Sequence, residues 1–529
     1  MITTTGQDDP SAREVDALVD AVKALRPLPR LSSQEHRAAS DQIQALLDSV
    51  THRQVSRLGA DGLCETASHL REIGDPSAAE TLALRGVDRL LEQGHVTDAV
   101  MLLNQAGLAC FDQGALADAE HHFTKALSLI PSPDLRLQTP VLLVNQATVL
   151  TEMGNYEQAL LLYERTLREL EGAATGSYGQ RDGLLPQQAR GLVTNNIGWV
   201  LLRSARAAGN DRDLIARAMM VFDTALALPL NTRTRLIAVG NRAEASLMKG
   251  DMAAAESSLE NAEQECLNAG YQRLLPEMYR RRAQLCAALG DGEAAIDWAR
   301  TAMDASIAEA NPRQELRIVE VFLDILRGVT AYSTDPVAAL ESTGLSVVTQ
   351  ILAVLESKDT YTGGSHSRRV ADLAHRISTR LVGDGPGQQR WCKRVELGGL
   401  FHDVGKLRLP WSLLNRVSAL SARDWQLLKA HTSLGETMLR DCGLWSLALV
   451  AGGHHERPDG RGYPRGDTRA TLESAVVAAA DAFDAMTSSS RVHTRPKTPM
   501  DAMEVVRAGS GTQFRPDVVV ALEAALSQA

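Results

Sequence analysis

A pattern of small residues that recurs about every forty positions constrains the fold of the N-terminal half of this 529-residue chain. The pattern is clearest in its alanines, which stand at Ala79, Ala119 and Ala159 and again at Ala255 and Ala295. In the copy that ends at Pro131, Gly107 and Ala119 are small residues at two expected helix contacts, and Phe123 supplies an aromatic side chain. Because small side chains let two helices approach closely, the pattern predicts a series of packed helix pairs.

This pattern resembles the tetratricopeptide repeat, which places small residues at one helix crossing and an A-x3-F segment on the second helix. We predict a TPR-like helical-repeat solenoid of about six units over residues 60–310, including a stretched unit around Gly198 and Phe222. The units exceed the usual length of about thirty-four residues, which predicts longer helices. Such a solenoid usually binds a peptide or protein partner, and the alternative is a packed scaffold without a specific ligand.

The composition favours an all-α protein without DNA or membrane partners. Hydrophobic residues make up 44% of the chain and aromatic residues only 4%, so the cores must be mainly aliphatic, which suits helices. The net charge of −10 disfavours nonspecific binding to nucleic acid and to anionic membranes. Six cysteines lack CxxC spacing and are expected to be reduced, packed thiols. The sequence lacks the long apolar run that would predict a membrane span, and its first ten residues lack the apolar run of a secretory signal. We therefore expect a cytoplasmic protein.

Histidines and carboxylates form an ordered series in the C-terminal part of the chain. In chain order the series is His366, His402-Asp403, His431, His454-His455 and Asp481. A single His-Asp pair is most often a structural contact, but imidazoles and carboxylates gathered without thiolates are typical of a site for several metal ions. Asp481 lies in an apolar helical segment, where a buried carboxylate would be costly without a partner. A metal ion would remove that cost.

The order of these residues, with Lys406 and the Gly462-Tyr463-Pro464 loop, resembles the HD-GYP phosphodiesterases, a branch of the HD metal-dependent phosphohydrolases. The resemblance implies an HD-GYP helical bundle over residues 358–529, after a helical connector at 311–357 and an N-terminal helical or flexible region at 1–59. The metal ligands that it implies are His366, His402, Asp403, His431, His454, His455 and Asp481. Asp403 would be shared between two ions.

The resemblance also implies cofactors and substrate contacts. A ligand set without thiolates favours two divalent ions, Fe(II) or Mn(II), and two ions about 3.5–4 Å apart can hold a hydroxide and clamp phosphate oxygens. Asp403 and Lys406 are the expected catalytic residues. Substrate phosphates are expected to meet Lys406, Arg491 and Arg495, and the alternative for the two arginines is a solvated loop. Thr362 stands where some relatives have a glutamate that binds a third metal, so we expect two ions.

The function that the resemblance implies is hydrolysis of cyclic di-GMP to pGpG, GMP or both, in bacterial second-messenger signalling. The repeat region would regulate this activity by binding a protein or peptide. One alternative is a phosphohydrolase for another cyclic or linear dinucleotide, and another is an HD-GYP signalling scaffold of low activity. The expected partners are therefore a cyclic dinucleotide and a protein or peptide, and we also consider a homodimer.

Four further residues are expected to lie outside the metal chemistry. His121 and His122 are predicted on an exposed helix surface without a neighbouring carboxylate, and His375 is predicted on the surface of the C-terminal domain. Tyr463 is expected to pack within that domain, and the alternative is a contact with a partner.

Overall fold

The structure is a computed structural model that describes residues 10–28, 33–52, 59–130, 139–173, 186–309, 312–330, 335–342, 345–359, 365–383, 385–415, 420–488 and 496–527. Regular structure in these ranges is helical, apart from one isolated β-bridge between Ser510 and Phe514. The predicted all-α fold is confirmed. The described residues divide into two compact units, drawn from Met1–Asp291 with Ala305–Gln314 and from Gly292–Asp304 with Glu315–Ala529. The domain boundaries given above remain predictions.

The first part of the chain is a series of antiparallel helix pairs. Its helices are α1 Pro10–Lys23, α2 Ser33–His52, α3 Gly59–Ile73, α4 Pro76–Glu92, α5 Val96–Asp112, α6 Leu116–Ser128, α7 Thr139–Glu152, α8 Tyr156–Ala173, α9 Pro186–Ala207, α10 Arg212–Ala227, α11 Thr232–Lys249, α12 Met252–Asn268 and α13 Leu275–Ala288. The next helix is α14 Gly292–Ala308, of which Gly292–Asp304 belongs to the second unit. From α3 to α12 each helix packs on the next one, and the odd-numbered helices from α3 to α13 also pack on one another in sequence. This is the stacking of a TPR-like repeat, which confirms that prediction.

Close packing at the helix crossings explains the small residues of the repeat. A Cβ atom on Gly107 would lie 2.6 Å from the ring of Phe123, and one on Gly198 would lie 2.6 Å from the ring of Phe222. Either substitution would push the two helices of its pair apart, because backbone and ring already touch. The repeated alanines, such as Ala119, are fully buried in the same crossings.

The prediction for one of the two neighbouring histidines in α6 is wrong. His121 is exposed, but His122 is largely buried, and its Nε2 atom lies 4.0 Å from the Glu80 carboxylate. Glu80 belongs to α4, and the fold brings its carboxylate close to this histidine of α6. A carboxylate so far away in sequence is invisible to local helical periodicity.

The second part of the chain is a bundle of shorter helices. They are α15 Pro312–Thr330, α16 Pro336–Ser342, α17 Leu345–Lys358, α18 His366–Val382, α19 Pro386–Phe401, α20 Trp411–Leu414, α21 Ala422–Lys429, α22 His431–Asp441, α23 Trp445–Gly453, α24 Leu472–Thr487, α25 Pro499–Ala508 and α26 Pro516–Leu526. A 3-10 helix, Val404–Arg408, follows α19. None of the described helices is both long enough and apolar enough to cross a membrane.

The apolar face of α18 forms the centre of this bundle. Val370, Ala374 and Ile377 recur at helical spacing and are fully buried. They belong to one core cluster with residues of α24 and α26, and α18 packs on both helices. The same packing fixes the starting point of α18 beside the middle of α24, where the predicted site residues lie.

Candidate metal centre

The structure brings the seven predicted metal ligands into one buried cluster. Helix ends position most of them: His366 is the first residue of α18, and His431 is the first residue of α22. His402 and His454 directly follow the last residues of α19 and α23. The members of this group, which we call the Asp403 cluster, are His366, His402, Asp403, His431, His454, His455 and Asp481.

Asp403 lies between two groups of histidines. Its Oδ2 atom is 3.3 Å from His402 Nε2 and 3.9 Å from His366 Nε2. Its Oδ1 atom is 3.4 Å from His431 Nε2 and 4.0 Å from His454 Nε2. One carboxylate therefore presents one oxygen to each group. A carboxylate shared by two metal ions needs this placement.

Asp481 completes the first group. Its Oδ1 atom is 3.3 Å from His366 Nε2 and 4.0 Å from His402 Nε2. All three residues offer a ligand atom within 4.8 Å of the others. Although burial disfavours its charge, the nearby His366 and His402 hold the pKa of Asp481 well below the usual range. The carboxylate is therefore ionised and available to a cation.

His431, His454 and His455 form the second group, with ligand atoms within 4.8 Å of one another. The Nδ1 atom of His431 donates to the Leu428 carbonyl at 2.6 Å, and that of His454 donates to the Ala451 carbonyl at 2.9 Å. Because a carbonyl oxygen can only accept, each Nε2 atom carries a lone pair. The two Nε2 atoms are 3.3 Å apart. Two lone pairs at this distance repel each other unless a positive charge lies between them.

A metal ion fits these nitrogens better than a proton does. Burial lowers the pKa of His431 and, with the neighbouring imidazoles, lowers that of His454 well below its ordinary value, so neither ring readily binds a second proton at Nε2. His402 has the same arrangement: Nδ1 donates to the Gly399 carbonyl at 2.7 Å. Its Nε2 atom is buried without a hydrogen-bond partner among the described residues. Neutral imidazoles with one anchored and one unsatisfied nitrogen are suited to metal binding.

Asp484 orients His366. The Nδ1 atom of His366 lies 2.7 Å from Asp484 Oδ2, and Arg369 donates to the same carboxylate at 2.6 and 3.0 Å. A carboxylate behind a ligand imidazole fixes its tautomer and raises its basicity. Although burial disfavours the charged ring, hydrogen bonds to Asp481 and Asp484 raise the pKa of His366 to about 9. This end of the cluster therefore favours a positive charge.

Lys406 contacts two buried carboxylates. Its Nζ atom is 2.7 Å from Asp403 Oδ2 and 2.8 Å from Asp359 Oδ2. Although burial disfavours the charged amine, these two aspartates raise the pKa of Lys406 above its usual value. The last residue of α19 is Phe401, and Lys406 lies in the 3-10 helix that follows. Its contact with a substrate phosphate stays a prediction.

Gly405 lets the 3-10 helix approach α22. A Cβ atom at this position would lie 1.9 Å from the carbonyl oxygen of His431 and 2.6 Å from the backbone nitrogen of Gly435. No side chain fits there without moving backbone away from backbone. The glycine between Asp403 and Lys406 therefore keeps Asp403 next to His431.

The loop after His455 packs against the cluster. The ring of Tyr463 stacks on the ring of His455, with centroids 4.6 Å apart, and its backbone nitrogen donates to the His455 carbonyl at 3.1 Å. The buried Glu456 carboxylate accepts hydrogen bonds from the backbone nitrogens of Arg465 at 2.7 Å and Asp467 at 2.8 Å. These contacts fit the expected packing of Tyr463 within the domain. They also tie the loop to the histidine pair.

Other predicted residues are not part of this cluster. His375 is 44% exposed and contacts Glu396 at 3.1 Å, on the surface as expected. Arg491 and Arg495, the predicted phosphate contacts, lie outside the described residues, as does Thr362.

Sequence reasoning missed three residues that hold the site, namely Asp359, Glu456 and Asp484. Asp484 follows Asp481 by three positions in α24, so the two share a helix face, and this signal could have revealed it. Glu456 directly follows the histidine pair. Asp359 lies just after α17, far from Lys406 in sequence, and no local pattern connects the two.

Comparison with known families supports the assignment of both regions. Residues 348–518 match the HD domain family, and residues 97–168 match the tetratricopeptide repeat family. The first match contains all seven members of the Asp403 cluster. The second match covers α5 from its second residue, all of α6 and α7, and most of α8.

Several curated relatives resemble the C-terminal part. The "3'3'-cGAMP-specific phosphodiesterase 3" of Vibrio cholerae is 33% identical over 185 residues, which cover 34% of this chain and 39% of the relative. A "Cyclic di-GMP phosphodiesterase" of Thermotoga maritima is 31% identical over 179 residues, 33% of this chain and 47% of the relative. A cyclic di-GMP phosphodiesterase of Pseudomonas aeruginosa is 31% identical over 222 residues, 40% of this chain and 51% of the relative.

The chain thus spans about half or less of the length of these relatives. The resemblance predicted from the sequence is confirmed. Residues 348–518 of this chain match the HD domain family and are similar to HD-GYP phosphodiesterases, and a match to the tetratricopeptide repeat family precedes them.

Proposed function

We propose that this protein is a metal-dependent phosphodiesterase that hydrolyses a cyclic dinucleotide, with cyclic di-GMP as the first candidate. The observation that carries the proposal is the placement of Asp403, with one oxygen beside His402 and the other beside His431. The names of the relatives from Thermotoga maritima and Pseudomonas aeruginosa support cyclic di-GMP as the substrate.

The Asp403 cluster would hold two divalent ions. His366, His402 and Asp481 would bind one ion and His431, His454 and His455 the other, with Asp403 shared between them. Imidazole and carboxylate ligands without thiolates favour Fe(II) or Mn(II). When bound, such ions supply Lewis-acid activation of a water molecule and neutralise charge on a phosphodiester.

The residues behind the ligands keep the site in shape. Lys406 stabilises the ionised form of Asp403, and Asp359 holds the lysine in place. Asp484 orients His366, so that its Nε2 atom faces Asp481. These contacts fix the ligands before the substrate arrives, so that little reorganisation is needed during the reaction.

Cations near the cluster would bind the substrate phosphates. The Nζ atom of Lys429, an exposed residue, lies 5.2 Å from the centre of the Tyr463 ring, which itself stacks on His455. We propose Lys429 as a phosphate contact, in addition to Arg491 and Arg495, which were predicted from the sequence. Lys406 is retained as a further candidate, although both carboxylates that it contacts compete with a phosphate.

The test is hydrolysis of cyclic di-GMP by protein purified without oxygen and loaded with Mn(II) or Fe(II). The wild type should form pGpG or GMP, and Asp403→Asn should form neither. The matched control is His375→Ala, which removes a histidine outside the cluster and should keep wild-type activity. An Asp403→Asn variant with full metal-dependent activity would refute the assignment of the site.

A second candidate substrate is 3'3'-cGAMP. One of the relatives named above, at 33% identity, is described as specific for this dinucleotide. The two cyclic dinucleotides should be compared at equal concentration in the same metal-loaded preparation. A higher kcat/KM for 3'3'-cGAMP would replace cyclic di-GMP as the proposed substrate. Tight binding of either nucleotide without product would instead favour a signalling scaffold.

The repeats would regulate this activity by binding a protein or peptide. Asn104 of α5 and Asn145 of α7 hydrogen-bond at 2.8 Å, and Asn195 of α9 bonds with Asn241 of α11 at 3.1 Å. The partly buried amides of Asn104 and Asn145 are candidates for contacts with a peptide backbone. A photo-crosslinking residue at Asn145 should capture a partner in the parent cells, whereas one at the exposed Met220 should not. Equal capture at both positions would contradict a specific surface.

A further inference from the structure

A second group of metal-ligating side chains lies in the repeat region, far from Asp403 in sequence. Glu80 of α4, Cys110 of α5 and His122 of α6 each offer a ligand atom within 4.8 Å of the others. Glu80 and Cys110 are buried, and the His122 side chain is 12% exposed. The three come from consecutive helices, so the repeat fold itself assembles them.

The polar atoms of this group are arranged as in a metal site. Gln113 donates from Nε2 to Glu80 Oε2 at 2.8 Å, which fixes the rotation of the carboxylate. The other oxygen, Oε1, lies 4.0 Å from His122 Nε2. A hydrogen-bond donor behind a ligand carboxylate is the usual support of a bound ion.

The imidazole of His122 lacks a complete set of hydrogen bonds. Its Nδ1 atom is buried without a partner among the described residues. A buried imidazole nitrogen without a partner is costly. Burial also lowers the pKa of His122, which favours the neutral ring that metals bind.

We propose that Glu80, Cys110 and His122 form a mononuclear site for a borderline-soft divalent ion, Zn(II) in the first instance. One thiolate, one imidazole and one carboxylate are ligands that zinc accepts, and a water molecule at the partly exposed side of His122 would complete a tetrahedron. Zinc bonds of about 2.0–2.3 Å place tetrahedral ligand atoms about 3.3–3.6 Å apart. The Glu80 and His122 atoms, now 4.0 Å apart, therefore need to move closer when the ion binds. On binding, Cys110 loses its thiol proton to solvent.

Such an ion would join α4, α5 and α6. Its effect would be to stabilise this part of the repeat stack and not to take part in phosphodiester chemistry. The site is independent of the proposed function, because it shares no ligand with the Asp403 cluster.

Co(II) is the probe that separates the two sites in the full chain. A thiolate bound to Co(II) gives intense near-ultraviolet charge-transfer absorption, and the Asp403 cluster contains no cysteine. Metal-free, reduced protein should develop this band on Co(II) titration, and Zn(II) should remove it by competition. Cys110→Ser should abolish the band, whereas Cys286→Ser, a change at a partly buried cysteine of α13, should keep it.

Two further variants keep the test decisive if Cys110→Ser fails to fold. His122→Ala alters a partly exposed position and should also abolish the band while the circular dichroism of the protein is unchanged. Gln113→Ala removes the support of Glu80 and should weaken Co(II) binding by about 10–100-fold. Asp403→Asn should leave the band intact. No band in saturated wild type, or an unchanged band in Cys110→Ser or His122→Ala, would overturn the proposal.

Discussion

Two buried polar clusters in this protein differ in how their charges are balanced. In the repeat region, Arg280 of α13 contacts Glu244 of α11 at 2.6 Å and Glu277 at 2.8 Å. Arg281 contacts the same two carboxylates at 3.2 and 2.9 Å and donates to Asn241 at 2.7 Å. We call these five residues the Glu244 cluster. In the Asp403 cluster, by contrast, lone pairs of imidazoles and carboxylates face one another.

The difference separates a structural cluster from a binding site. Two guanidinium groups match two carboxylates in the Glu244 cluster, so burial is compensated within the protein. In the Asp403 cluster, the Nε2 atoms of His431 and His454 lie 3.3 Å apart, and that of His402 is buried without a hydrogen-bond partner among the described residues. An excess of inward-facing lone pairs indicates that a cation belongs there. Burial of polar groups alone does not distinguish a structural cluster from a metal-binding site.

The largest expected effect is that of Asp403→Asn on catalysis. An amide in place of the carboxylate removes the negative charge shared by the two histidine groups, and activity should fall by about a thousandfold or more, because such groups act as a unit. Metal analysis should show loss of at least one bound ion per chain. If the variant kept both activity and metal, the Asp403 cluster would be a purely structural group, like the Glu244 cluster.

Glu244→Ala should mainly reduce stability. Removing one carboxylate from a buried, matched cluster leaves Arg280 and Arg281 undercompensated and should cost about 3–5 kcal/mol of unfolding free energy in urea. Despite burial, these arginines and Arg206 hold the pKa of Glu244 well below its usual value. Its contribution is therefore present above the unfolded-state pKa and lost only in strongly acidic solution. Metal content per folded chain should not change, and a change would contradict the comparison.

Asp484→Asn should weaken metal binding without abolishing it. The amide no longer supplies the negative charge behind His366, so affinity for Mn(II) should fall by about 10–100-fold in a direct titration. The matched control is Asp517→Asn, at a half-exposed aspartate paired with Arg515 in the same unit, which should leave affinity unchanged. Equal Mn(II) affinities for the two variants would show that Asp484 does not support metal binding.

A pair of glycine substitutions tests the two regions with the same added methyl group. Gly405→Ala and Gly107→Ala both create close contacts, and each should cost about 1–3 kcal/mol of stability by thermal or urea unfolding. Only Gly405→Ala should reduce hydrolysis, because it pushes the 3-10 helix that follows Asp403 away from His431. Equal activity loss in both variants would show that instability, and not site geometry, is responsible.

His375→Ala should have the smallest effect. This side chain is 44% exposed and contacts Glu396 at 3.1 Å, outside the Asp403 cluster. We expect a change in unfolding free energy within about 0.5 kcal/mol and unchanged metal content. Lost metal would show that the cluster extends farther than its seven members.

Local spacing was enough to predict the elements of both regions. The alanines at forty-residue intervals predicted helix pairs, and the structure buries Ala119 and its counterparts at the helix crossings. The ordered histidines predicted one site, and the structure gathers them around Asp403. In both cases each residue can be recognised by its type and by its place in a short motif.

Partners from distant helices could not be predicted in this way. Asp359 contacts Lys406 across 47 positions, and Arg369 contacts Asp484 across 115. The error at His122 has the same cause, because its neighbour Glu80 belongs to another helix of the repeat. Helical periodicity reports which face of a helix is apolar, but not which other helix supplies a charge.

The helical repeats, the HD-like region and the candidate ligands could be predicted from the residues alone, because small-residue spacing and histidine motifs are local properties of the chain. The packing of the helices was needed to show that each oxygen of Asp403 faces a different histidine group and that Asp484 lies behind His366. It also brought Glu80, Cys110 and His122 together. Distances between side chains depend on how helices pack, and packing is settled by contacts between residues that are far apart in sequence.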